Sequence, residues 1–123
     1  MALDYFYNVL KKDITMVRGD TMAFGFQLEG LDGSTPDDIV FSCNNNPENE
    51  NTIFTCSLSD EDGVWIDSED TEHDILTYGV RVAPAKTKDL DTGRYFYDLQ
   101  ISVNNDTFTL MKGRLLLEYD VTR

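Results

Sequence analysis

The chain has 123 residues, with 23 acidic against 10 basic side chains and a formal charge of −13 at neutral pH. That excess repels nucleic-acid phosphates and anionic lipid headgroups, so neither is an expected partner. Hydrophobic residues make up 41% and aromatic residues 11%, enough for one domain with its own core and too many for a disordered chain.

No apolar run approaches the ~20 residues that a membrane helix needs, and no basic stretch followed by an apolar core opens the sequence. We therefore expect a chain made in the cytoplasm and held there until it assembles.

Residues 1–12 carry Leu3, Tyr5, Phe6, Tyr7, Val9 and Leu10 in no clean period. They read as an apolar arm that either packs on its own domain or reaches a neighbouring subunit, ahead of a folded domain spanning 13–123. Ile14 to Val17 reads as a short strand ending in the turn Arg18-Gly19-Asp20. The last two residues are ordinary turn chemistry, which outweighs an integrin-binding reading of the tripeptide. Met22, Phe24, Phe26 and Leu28 alternate as a second strand, and Gly30 to Asp38 is a loop. Ile39 to Cys43 forms the next strand, Asn44 to Asn51 a polar connection, and Thr52 to Leu58 a return strand with Phe54, Cys56 and Leu58 inward. Cys43 and Cys56 are too few for a secreted disulfide scaffold and too far apart for a zinc knuckle. They read as buried free thiols, with a cross-strand bridge as the alternative in an oxidising environment.

Ser59 to Gly63 turns the chain into Val64-Trp65-Ile66, and Asp67 to Asp74 reads as a second acidic loop. Neither acidic stretch has the alternating oxygen ligands and distal Glu of a calcium loop, so solvated loops are favoured over metal sites. Ile75 to Val82 is a strand, and Pro84 to Leu90 fits a single helical turn with Pro84 at its start.

From Tyr95 the odd positions Tyr95, Tyr97, Leu99, Ile101 and Val103 are apolar or aromatic, which marks a strand with one buried face. Asn104-Asn105-Asp106 suits a hairpin turn, and an even-numbered loop places Phe108 and Leu110 on the face of Leu99 and Ile101. The apolar phase then flips to Leu115, Leu117, Tyr119 and Val121, which a β-bulge at Gly113 would explain. The phrase Asp91-x-Gly93-x-Tyr95 resembles the approach to strand F in immunoglobulin-like sandwiches, where the Tyr hydroxyl ties a corner back to the backbone. Antibody domains carry a Cys two residues further on; Tyr97 stands there, so the usual inter-sheet disulfide is not expected. These patterns together predict an all-β fold, an antiparallel Ig-like Greek-key β-sandwich of seven to eight strands.

Catalytic candidates are sparse. His73, the single histidine, sits among acids with no nucleophile nearby in sequence. Carboxylates are plentiful, yet a small sandwich offers little room for a substrate cleft. No glycine-rich phosphate loop is present, and neither a cofactor nor a metal is expected. The residues favour an interaction protein over an enzyme.

Five stretches carry a further resemblance: Asp13 to Thr21, Tyr78 to Thr87, Gly93 to Gln100, Lys112 to Leu115, and Asp120 to Arg123. Together they resemble small virion proteins of tailed phages and prophages of Gram-positive bacteria, in particular the N-terminal Ig-like domain of baseplate upper proteins. Those domains open with a strand ending in Gly-Asp and keep a Tyr-x-Tyr-Asp-Leu-Gln strand, here Tyr95 to Gln100. The resemblance implies a tail- or baseplate-associated structural protein, with other virion proteins and copies of itself as partners. Longer members continue into a stalk and receptor-binding parts where this sequence stops, so a connector, adaptor or decoration role is expected. The alternative class is a carbohydrate-binding or host cell-surface-binding module, with Trp65, Tyr78 and Phe96 stacking on sugars if they share an exposed patch.

Overall fold

The computed structural model describes residues 10–46, 48 and 52–121. The strands in chain order are β1 (Leu10–Lys11), β2 (Ile14–Val17), β3 (Met22–Glu29), β4 (Asp38–Asn44), β5 (Phe54–Ser57), β6 (Val64–Asp70), β7 (Ile75–Val82), β8 (Gly93–Val103) and β9 (Asp106–Glu118). A 3₁₀ turn, Pro84–Lys86, precedes β8. One sheet has the order β1-β9-β8-β4-β5, with β2 also on β9, and the other has the order β3-β7-β6. Hairpins β4–β5, β6–β7 and β8–β9 stay within a sheet, while the intervening connections cross between sheets. This is the Ig-like Greek-key sandwich that the strand pattern predicts.

The edge strand departs from a wholly antiparallel sandwich. β1 and β2 run parallel to β9, and they share one register, Leu10 with Met111 and Ile14 with Leu115. They form a single edge strand interrupted at Lys12 and Asp13. The expected boundary after Lys12 therefore falls inside this strand. Leu10 is exposed on it, while Leu3, Tyr5, Phe6, Tyr7 and Val9 lie outside the described residues.

The central hairpin follows the sequence closely. Tyr95, Tyr97, Leu99, Ile101 and Val103 are all buried. Asn104 and Asn105 both take positive φ, 52° and 69°, forming the two-residue turn that matches the twist of antiparallel strands. Ile101 faces Phe108 as parity requires. The bulge, however, is at Leu110 rather than Gly113: Gln100 pairs with Thr109 and Leu99 with Met111, leaving Leu110 as the extra residue. Leu115 and Leu117 then point inward and are buried, but Tyr119 and Val121 lie past the strand end and are exposed.

A further correction concerns Asp67 to Asp74. Residues 67–70 continue β6, with an irregularity between Ile66 and Ser68, and only residues 71–74 form the turn. As an edge strand exposed at every position after Val64, β6 has no buried face to impose alternation, and its charges protect an open edge from pairing with other chains.

Phe41 on β4 fills the centre of the core. Its ring lies 5.9 Å from Phe24 on β3, 5.4 Å from Tyr97 on β8 and 6.3 Å from Phe54 on β5. Phe24 belongs to the opposite sheet, so this aromatic cluster joins the two sheets where antibody domains place a disulfide and a tryptophan. Cys43 and Cys56 are buried and free on neighbouring strands. Burial pushes the Cys43 thiol up to about 12 and raises Cys56 as well.

Candidate functional site

The tyrosine corner forms as its spacing predicts. Tyr95 Oη donates to the Asp91 carbonyl at 2.5 Å, and Gly93 takes a positive φ of 142° at the start of β8. Thr87, fully buried, brings the corner against the first turn by accepting from the Gly19 backbone N–H at 2.9 Å. Arg18 extends this lock. Its guanidinium donates to Asp120 and to the Leu90 carbonyl and lies 5.7 Å from the Tyr119 ring centroid. The arginine of Arg18-Gly19-Asp20 is thus held by its own domain, as a turn reading requires.

A second lock fastens the edge strand. Tyr97 on β8 pairs with Gly113 on β9, and its hydroxyl reaches across β9 to the Lys12 carbonyl at 2.6 Å. A Cβ at Gly113 would overlap the Lys12 carbonyl oxygen and sit 2.8 Å from the carbonyl carbon. Gly113 is therefore a site of close backbone approach, the other common reason for glycine within a strand. Asp13 completes the lock by accepting from the Arg114 backbone N–H at 3.1 Å and from its guanidinium at 2.8 Å. These bonds from Arg114 hold the Asp13 carboxyl below its ordinary value.

Beside this lock, the outer face of the larger sheet carries a groove of about 710 Å³. Cross-strand pairing builds it in two rows. Ser42, Asp98, Lys112 and Lys11 stand side by side on β4, β8, β9 and β1, and Asn44, Phe96, Arg114 and Asp13 form the next row. Phe96 is half-buried and supplies the apolar part of the floor. Partial burial raises the Asp98 carboxyl against the opposing influence of Lys112. The groove presents Lys11, Lys112 and Arg114 against two carboxylates on a chain of net charge −13. Ser42 and Asp98 are cross-strand neighbours in its floor, and its charged groups suit the binding of a charged partner.

The remaining candidates are dispersed. His73 Nδ1 meets Asp70 at 2.8 Å in the exposed turn after β6. Among the described residues no three His, Cys, Asp or Glu side chains gather as a metal site would require. The three aromatics considered for sugar stacking lie on different parts of the molecule. Trp65 is 42% exposed and rests on Gly79 of the smaller sheet, Phe96 is in the groove, and Tyr78 is buried and stacks on Phe26. They form no common platform. Sequence reasoning did not find the groove, because its walls come from residues about 100 positions apart that meet only through the β1–β9 pairing.

No protein-family model matches the chain, and no curated protein matches it. Among solved structures, a family 123 glycoside hydrolase from Clostridium perfringens, studied for glycolipid glycan hydrolysis, is similar over 95% of this chain at a TM-score of 0.53 and 12% identity. The chain spans only 24% of that enzyme's length, so the likeness shows a shared domain fold alone. The extracellular domain of the voltage-gated sodium channel β4 subunit, described as a parallel homodimer in cell–cell adhesion, matches over 98% of this chain and 100% of its own at a TM-score of 0.43 and 12% identity. A structure of voltage-gated sodium channel β subunits, studied for multimeric cell-adhesive interactions, matches over 89% and 92% at 0.40 and 12%. With TM-scores under 0.5, the last two carry no argument about fold or function.

Proposed function

We propose that the chain is a structural protein of a tailed-phage or prophage virion, a tail- or baseplate-associated connector, adaptor or decoration component that acts by protein–protein assembly and not by catalysis. One observation carries the reading. The five stretches that resemble baseplate upper proteins contact one another in space: Asp13 bonds Arg114, Gly19 bonds Thr87, Arg18 bonds Asp120, and Gly93 to Gln100 pairs along β9 up to the Lys112 to Leu115 stretch. Residues that lock one domain are what a shared scaffold would retain, which supports a likeness of the whole domain over chance agreement of short strings. On this reading the protein is made in the host bacterial cytoplasm and leaves within particles, with other virion proteins and its own copies as partners.

Mass spectrometry of purified particles from an induced lysogen tests this. The chain is expected among the particle proteins; its absence there, while present in the lysate, overturns the proposal. Saturable binding of the purified chain to cell-wall glycan in the same circumstances would establish the carbohydrate-binding alternative.

A further inference from the structure

Basic side chains gather on one sheet face and carboxylates along one sheet edge. Lys11, Lys112 and Arg114 line the groove, and Arg94 stands on the same face of the sheet, two residues along β8 from Phe96. These four are taken from the ten basic residues of the chain. Residues 60–74, by contrast, hold eight carboxylates and no lysine or arginine. They run through the turn before β6, β6 itself at an edge of the smaller sheet, and the turn after it. Asp62 is already paired to Lys86 and Asp70 to His73, which leaves Asp67 and Glu69 as the ridge's carboxylates within β6 that have no ion pair among the described residues. The ridge also carries an apolar anchor, Trp65, which is 42% exposed over Gly79, while its neighbour Ile66 pairs with the buried Tyr78 and stands on the opposite face of the strand. Phe96 in the groove offers the matching apolar surface.

We propose that the acidic β6 ridge of one copy docks in the cationic groove of a second copy, so that copies join head to tail. The inference rests on the assembly reading above and specifies the surfaces by which copies meet. Within the groove Arg114 is already paired with Asp13, and Lys112 faces Asp98. Lys11 and Arg94 have no ion pair among the described residues and remain to meet incoming carboxylates. Groove and ridge belong to different sheets, so a copy whose ridge is engaged keeps its groove open. Such a contact is heterologous and either closes into a ring or propagates.

Copies of charge −13 repel as wholes. The Debye length is about 8 Å at physiological ionic strength, so distant charges are largely screened and facing ones decide the contact. An aromatic anchor with surrounding complementary charge is a common form of small interface.

Paired charge reversals on the full-length chain test the proposal, with size exclusion and light scattering at physiological salt over a hundredfold concentration range and circular dichroism to verify folding. The parent is expected to rise to a mass of two or more copies. K11E/R94E reverses the groove and D67K/E69K reverses the ridge; each alone is expected to remain monomeric. An equal mixture of the two variants restores complementary surfaces and is expected to recover the parent mass. A parent that stays monomeric at every concentration overturns the proposal, as do reversed variants that associate like the parent or a folded mixture that fails to reassociate. If the contact fails while the chain is still found in particles, this inference falls and the virion reading stands.

Discussion

Gly113→Ala puts one methyl group where the backbone of the edge strand passes. The added Cβ overlaps the Lys12 carbonyl oxygen and lies 2.8 Å from its carbon and 3.4 Å from the Asp13 nitrogen. Since backbone cannot rotate away as a side chain does, the segment at Lys12 and Asp13 must move outward. Overpacking of this kind costs about 1–3 kcal/mol. Moving Lys12 also separates its carbonyl from the Tyr97 hydroxyl, and the buried end of that bond adds about 1 kcal/mol. A total of about 2–4 kcal/mol shifts a urea midpoint by about 1–2 M at the m-values of small domains. Gly25→Ala is the control, since its Cβ would come no closer than 3.4 Å to the Tyr78 carbonyl oxygen and a strand alanine is favoured over glycine by roughly 0.5–1 kcal/mol. Paired urea titrations of the two variants, with hydrogen exchange followed at residues 14–17, read both effects. A Gly113→Ala midpoint within error of the parent refutes the close-approach account and returns Gly113 to an ordinary strand position.

Three further outcomes follow from the same structure. Tyr95→Phe removes the bond to the Asp91 carbonyl and should lower stability by about 1 kcal/mol in urea titration; an unchanged midpoint would show that the corner bond contributes nothing. With its thiol pushed up to about 12, Cys43 should be thiolate in only about one molecule in ten thousand at pH 8. Cys43 and Cys56 should therefore react with a thiol reagent in urea but not when folded, and rapid labelling of the native protein contradicts their burial. Burial raises the Asp98 carboxyl above its ordinary 3.8, so the folded state holds that proton more tightly and stability falls as pH rises through the window above 3.8. Asp98→Asn should accordingly be more stable than the parent at neutral pH and lose that advantage in acid. Equal stability of the two across the range would show that Lys112 fully offsets the burial.

Legibility in the sequence tracked burial on one face. β8 was readable residue by residue because Tyr95 to Val103 face the core at every second position. The tyrosine corner was readable because its partners are four residues apart. β6 was misread in its second half because an edge strand exposed on both faces has no reason to alternate, and Asp67, Glu69 and Asp70 then look like a loop. The bulge was misplaced by three residues because glycine signals either a bulge or a close approach. Only the Lys12 backbone, 101 residues away in sequence, decides between them. The groove was invisible for the same reason, since β1, β8 and β9 contribute its charges from opposite ends of the chain.

The claim that this is an assembly protein of a virion is tested most directly by counting it in particles. Quantitative mass spectrometry across gradient fractions of purified phage should find the chain at a fixed ratio to the major tail proteins in every infectious fraction. A ratio that drifts between fractions, or falls to nothing as the particles are purified, would contradict the account.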